Sequence, residues 1–226
     1  MTGAPTGADP ASGLRRVAGG TRGRPTLPCV QPPSPFPRRS GTADVSVRPA
    51  RPVDARAIAR VQAVTWRTAY RSVLPLEVLD SWGETTAADA WRVAVEAPPT
   101  PGHGVLVAVE QDTVVGFAAY GPPELADGER PHPAGPSTEV APLLVEPRWG
   151  RRGHGSRLLA AVADLARGTG AARLQVWLPE QDTVSADFFE SAGWARDGWV
   201  RTLDTGGTPL REVRWHTLLE ETDETR

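Results

Sequence analysis

Residues 145–160, VEPRWGRRGHGSRLLA, constrain this chain more than any other stretch. The apolar run TEVAPLLV leads in, a glycine-rich turn follows, and then Leu158, Leu159, Val162 and Leu165 recur at helical spacing on one face. A second β-rich run, ARLQVWL, comes directly after the helix. Strand, helix and strand joined this closely imply a parallel pair with a crossover helix, expected to be right-handed. The turn itself has an electrostatic character. A helix N-terminus presents unpaired N–H groups and a partial positive charge, which suit a phosphate. Gly153 and Gly155 let the backbone approach a ligand closely. Arg151 and Arg152 add charge and forked donors, His154 lies within the turn, and Ser156 offers a cap or a hydroxyl.

Two common phosphate loops are excluded. No Gly-Lys-Ser/Thr is present, and the third glycine of a dinucleotide fingerprint is replaced by Leu158. The residues alone leave two readings open: an anion site of another kind, or a glycine-rich turn with no ligand.

Around this unit lie other elements. VSVRP reads as a short strand from Val45, and Asp54 can cap a helix carrying Ala57, Ile58, Val61, Val64 and Thr65. PLEVLDSW reads as a second helix and Thr85 to Val95 as a third. GVLVAVEQ and TVVGFAAYG read as a hairpin turning at Asp112. Pro142 interrupts TEVAPLLV, where it cannot donate to a ladder, so an edge strand or a bulge is expected. Val184 to Ala192 reads as a short helix, and RDGWVRTL with LREVRWHTLL as a closing antiparallel pair. The order predicts an α/β sandwich with a mixed sheet.

The first 43 residues differ. They hold eight of the 23 prolines, six arginines and a single acid, Asp9, and read as a disordered N-terminal tail. The folded domain is expected over 44–220, with a short flexible end at 221–226. The net charge of −2 gives no global attraction to nucleic acid or anionic membrane. All 25 basic residues are arginine, so no lysine serves as base or Schiff-base former. Cys29 is the only cysteine, which excludes an internal disulfide and a Cys-rich zinc site. With no run near the ~20 apolar residues of a membrane span and no secretory signal, the cytoplasm is the expected compartment.

Three ordered blocks resemble the GNAT superfamily of N-acetyltransferases. EVAPLLVEPRWGRRGHGSRLLAAV is similar to its acetyl-CoA-binding motif, QVWLPEQDTVSADFFESAGWARDG to its next block, and VRPARPVDARAIARVQAVTWRTAYRSVLPLEVL to its opening strand and helices. The resemblance spans about 45–217. It implies a mostly antiparallel sheet of about seven strands with helices on both faces, in which strands 138–146 and 172–178 splay apart as a V. Acetyl-CoA is the implied co-substrate and no metal is implied. Its pantetheine is expected along Leu143, Leu144 and Val145, its pyrophosphate on the N–H groups from Arg151 and Arg152 through Gly153, His154 and Gly155 to Ser156, with Asp182 beside it. The sequence departs from the pattern: Gly150 replaces Gln or Arg, Arg151 replaces a glycine, and Asp182 replaces an Asn. Phe189 stands where the family commonly has a Tyr proposed to protonate the departing thiolate.

Direct attack by an amine needs a base, a donor for the carbonyl oxygen and a leaving thiolate. Glu139 matches the family's frequent base, and Tyr120 could supply a hydroxyl that Phe189 lacks. Trp66, Arg67 and Tyr70 share a helix expected to line the acceptor pocket, and the 121–137 loop is expected to form another wall. Glu146, His103, His132 and His216 are read as surface or strand positions. The expected reaction acetylates a primary amine of a small molecule or peptide; a catalytically weak acyl-CoA-binding module is the alternative. Homodimers are common in the family.

Overall fold

The computed structural model describes residues 44–69, 83–126, 128–204 and 209–219. The chain divides into 1–41 and 42–226, and every described residue lies in the second unit. The expected tail with Cys29, the helix expected at 75–82 and the site candidate Tyr70 lie outside the described residues.

Seven strands form one sheet: β1 (Val45–Pro49), β2 (Gly104–Glu110), β3 (Thr113–Gly121), β4 (Ser137–Val145), β5 (Arg173–Pro179), β6 (Ala195–Leu203) and β7 (Leu210–Leu218). Their spatial order is β1-β2-β3-β4-β5-β7-β6. All neighbours are antiparallel except β4 and β5, which are parallel as the crossover unit requires. Four helices are described: α1 (Ala55–Ala69), α2 (Glu84–Glu96), α3 (His154–Gly168) and α4 (Thr183–Ser191). None of the described helices is long and apolar enough to cross a membrane.

The β-rich runs alternate between two cores. Val105, Val107 and Phe117 pack under Ile58 and Val61 of α1. Leu106, Val115, Val140, Leu174 and Val176 pack under Leu158, Leu159 and Val162 of α3 and Phe189 of α4. The expected apolar face of α3 is off at one position. Leu165 is 41% exposed, and the helical period buries Ala166 in its place. Asp54 also differs from expectation. It sits in a 3-10 turn before α1, accepts from Arg51 N at 2.7 Å, and pairs with both terminal nitrogens of Arg48 at 2.7 and 2.9 Å.

Two register irregularities shape the centre. Val115 is an extra residue in β3, between the pairs Ala108↔Gly116 and Val109↔Val114. In β4 the pairing steps from Ala118↔Leu143 to Tyr120↔Val140, so an extra residue falls at Ala141-Pro142. Pro142 therefore marks a bulge in a central strand rather than an edge, because the bulge removes the need for its missing N–H.

The decisive feature is how briefly β4 and β5 pair. Their register covers only Ser137↔Arg173, Thr138↔Leu174 and Glu139↔Gln175. Beyond that point β4 continues to Val145 against β3, and β5 continues to Pro179 against β7. The two strands share no ladder over Val140–Val145, so the sheet opens into the expected fork.

Candidate active site

Beyond β4 the chain makes a 3-10 turn, Pro147–Trp149, and enters α3 at His154. Gly153 is the N-cap, in the left-handed conformation at φ 80°, and no side chain caps the helix. The first helical bond runs from Arg157 N to Gly153 O at 3.0 Å. The N–H groups of His154, Gly155 and Ser156 are thus the helix's open donors. Ser156 lies in the first turn and is not the cap. Arg151 is left-handed as well, at φ 59°. A glycine is usual there in the similar motif, and a side chain in this region is strained by about 1–2 kcal/mol.

Close approach is built in at Gly155. A Cβ there would meet Phe188 at 3.3 Å and Leu143 at 3.8 Å. So β4, the start of α3 and α4 converge where the fork opens. Two side chains of the turn, His154 and Arg152, are held by Glu110. His154 is only 1% exposed, and its Nε2 meets Glu110 Oε2 at 2.7 Å. Arg152 binds the other oxygen of Glu110 at 3.0 Å and lies 4.8 Å from the Trp149 ring centroid. Glu110, at the end of β2, clamps the loop from 44 residues away. The expected surface residue Glu146 is buried, paired with Arg60 at 2.6 Å and Arg148 at 2.5 Å, and ties α1 to the loop. Asp182 caps α4. Its two oxygens accept from Ser185 N at 3.0 Å and Ser185 Oγ at 2.7 Å. Its carboxylate thereby fixes the first turn of the helix. Phe189 is core, with Phe188 at 5.1 Å and Trp194 at 4.8 Å between ring centroids.

Glu139 stands at the last paired position before the fork. Gln175 Nε2 donates to it at 2.8 Å. Burial raises its pKa above the ordinary carboxylate range, and this outweighs the lowering by the Gln175 hydrogen bond and the charges of Arg201 and Arg214. Behind Gln175 runs a chain of buried polar side chains across β5, β7 and β6. Gln175 Oε1 accepts from Arg173 at 3.1 Å, Arg173 pairs with Asp197, and Arg214 donates to Asp197 at 2.7 Å and to Glu129 at 2.6 Å. Arg214 also lies 5.4 Å from Trp177 and 5.3 Å from Trp199. Glu129 brings the loop after β3 onto this face, and residues 128–133 of that loop line a cavity of about 370 Å³ with Arg173, Asp197, Trp199, Arg214 and His216.

Tyr120 does not join Glu139. A Cβ on Gly104 would overlap the Tyr120 ring and hydroxyl, so that hydroxyl points over β2, away from the fork. Burial raises its pKa. Trp66 is half-buried and Arg67 exposed near the end of α1. Leu143, Leu144 and Val145 pair with β3 on one side and lie beyond the β4–β5 ladder on the other.

Sequence reasoning missed Glu110, Gln175, Arg173, Asp197, Arg214 and Glu129. A signal existed for some: Arg173 with Gln175, and Glu212, Arg214 and His216, alternate with apolar residues at the strand period. Both strands belong to the interior of the sheet, so that polar face is buried. Among the described residues no cluster of metal-ligating side chains occurs.

Known proteins resemble this arrangement. The sequence profile of the Acetyltransferase (GNAT) family matches residues 65–194. YuaI of Bacillus subtilis (strain 168), an uncharacterized N-acetyltransferase, is 32% identical over 166 residues, covering 66% of this chain and 87% of YuaI. The L-amino acid N-acyltransferase MnaT of Escherichia coli (strain K12) is 29% identical over 153 residues, covering 66% of this chain and 79% of MnaT. Among solved structures, yncA from Salmonella typhimurium with its cofactor acetyl-CoA has a TM-score of 0.58 at 21% identity, covering 81% of this chain and 99% of that one. The PaiA N-acetyltransferase of Thermoplasma acidophilum in complex with coenzyme A has 0.56 at 15%, covering 76% and 98%.

Proposed function

The chain belongs to the GNAT acetyltransferase family and is an acyltransferase; from that premise we propose that it moves an acetyl group from acetyl-CoA to a primary amine by direct attack, with Glu139 as base. One observation carries the reading: a half-buried carboxylate with a raised pKa stands at the point where β4 and β5 part. A base with a pKa nearer to neutrality takes a proton from an attacking amine more effectively than an ordinary surface carboxylate.

The residues present fit the co-substrate. The open N–H groups of His154, Gly155 and Ser156 suit a pyrophosphate, and Gly155, lacking a Cβ, lets the start of α3 pack closely on Phe188 and Leu143. The unpaired edge of β4 from Leu143 to Val145 offers main-chain groups for pantetheine. Acetyl-CoA supplies an acyl group activated as a thioester. Glu139 receives the proton the amine sheds, directly or through water. A main-chain N–H on β4 can donate to the carbonyl oxygen. Phe189 provides no proton to the departing sulfur, and Tyr120 is turned away from it. A thiol has an ordinary pKa near ~8.5, so its thiolate leaves without a protein acid. Absence of an acid that commonly contributes about 10²–10⁴-fold slows the step without forbidding it. Arg151, Trp66 and Arg67 remain candidate contacts to cofactor and acceptor.

The test is to incubate the protein with acetyl-CoA and a panel of amines and to follow free thiol. Thiol release that depends on an amine supports the transferase. Tight CoA binding with no release on any amine favours an acyl-CoA-binding module, the reading that Phe189 motivates. Failure to bind CoA overturns both.

A further inference from the structure

The cavity lined by the loop after β3 has no part in the chemistry above, yet its wall is chemically specific. Three guanidiniums, of Arg130, Arg173 and Arg214, border it against two carboxylates, of Glu129 and Asp197. Both carboxylates are committed within the wall. Asp197 accepts from Arg173, from Arg214 at 2.7 Å and from Trp199 N at 3.1 Å. Glu129 accepts from Arg214 at 2.6 Å and from Ala126 N at 3.0 Å. Positive charge is left in excess.

Two histidines complete the lining, and each has a fixed tautomer. His216 Nδ1 lies 3.3 Å from Arg173 Nε, and an arginine only donates, so the imidazole proton of His216 is on Nε2. His132 Nδ1 accepts from Ala134 N at 3.2 Å, which puts its proton on Nε2 as well. Their ring centroids are 6.5 Å apart. Burial, and then the charge of Arg173, lower the pKa of His216 and so favour its neutral form. Protonated Nε2 atoms are poor metal ligands and good donors. Two such donors beside surplus guanidinium charge match an oxygen anion. The cavity also lies within reach of Glu139. Glu139 pairs with Gln175 and Gln175 with His216, which is two strand spacings or roughly 10 Å.

We propose that this cavity is a carboxylate-binding subsite for the acceptor, in which Nε2–H of His132 and of His216 hold a carboxylate of the same molecule whose amine meets Glu139. The acceptor class is then an amine that also carries a carboxylate, an amino acid or a short peptide. This assignment of the acceptor rests on the transferase reading.

Binding can be read without turnover. The chain has only 4 histidines, so long-range ¹H–¹⁵N spectra of the full-length protein with CoA are assignable. N-acetyl-L-methionine and N-acetylglycyl-L-methionine are each titrated against their carboxamides. The expected result is that the Nε2 signals of His132 and His216 move with an acid, which binds about tenfold tighter than its amide. His132→Ala abolishes that preference, and His132→Gln, whose amide N–H replaces the ring N–H, recovers part of it. Equal binding of acid and amide, unmoved histidine signals, or Nδ1–H tautomers in either ring overturn the subsite. Amines acetylated with no preference for a carboxylate sink the subsite and leave the transferase standing. Acid-selective binding with no acetylation of any amine does the reverse.

Discussion

The two sides of this site are built on opposite plans. The turn from Glu146 to Ser156 is contiguous, and its open donors are main-chain N–H groups. Its side chains serve to hold it: His154 and Arg152 on Glu110, Glu146 on Arg60. The face carrying Glu139 is made of side chains from distant parts of the chain. Glu139 and Gln175 are 36 residues apart, Arg173 and Asp197 are 24, and Arg214 and Glu129 are 85. A site made of backbone tolerates changes of side chain, as Gly150 and Arg151 in place of the usual residues illustrate. A site made of side chains is sensitive to each one.

The sharpest challenge to that contrast is Glu139→Gln. We expect kcat to fall about 10²–10⁴-fold while acetyl-CoA affinity changes less than twofold, by steady-state kinetics and calorimetry. In the unaltered protein the acidic limb of the kcat/KM profile should lie above the ordinary carboxylate range, because burial raises Glu139. The same shift has a sign for stability. With the folded pKa above the unfolded one, protonated Glu139 favours folding below the unfolded value, and that contribution is lost as pH rises through the folded pKa. Glu139→Gln should therefore raise Tm at neutral pH while it removes activity; a lowered Tm contradicts the assigned burial effect.

Next in size is Gly155→Val, which crowds Phe188 at the mouth of the fork. Acetyl-CoA affinity should drop roughly ten- to a hundredfold, about 1.4–2.8 kcal/mol, with kcat at saturation little changed. Gln175→Leu comes third. It removes the donor that lowers the pKa of Glu139 and leaves Arg173 one partner short. The acidic limb should move to higher pH and kcat should fall about three- to tenfold, consistent with a buried hydrogen bond of about 1 kcal/mol. A pH profile that stays in place separates mere loss of stability from positioning. The smallest effect belongs to Arg151→Gly. Relief of the left-handed backbone should stabilise the fold by about 1 kcal/mol in denaturant titration, and CoA binding should weaken only by the loss of one exposed charge.

The elements were legible because their signals are local. Period-two apolar runs marked the strands, and the glycines at 153 and 155 marked the start of α3 within two residues. Pro142 announced a bulge without saying whether the strand was central, since only the neighbours β3 and β5 decide that. Leu165 was misassigned because four leucine or valine positions fit a helical face almost as well as the true set ending in Ala166. Tyr120 failed for a reason no one-dimensional pattern contains: its cross-strand partner is Gly104, which leaves an open space for the ring over β2.

The glycine-rich turn, its open backbone donors and the family resemblance were legible in the sequence itself, because backbone donors at a helix start depend only on neighbours along the chain. Only tertiary structure decided that β4 and β5 part after Glu139, that Glu110 clamps the loop, and that Arg173, Asp197 and Arg214 form a buried network behind the proposed base. Burial and charge pairing are properties of what packs against a residue, and those partners lie tens of residues away.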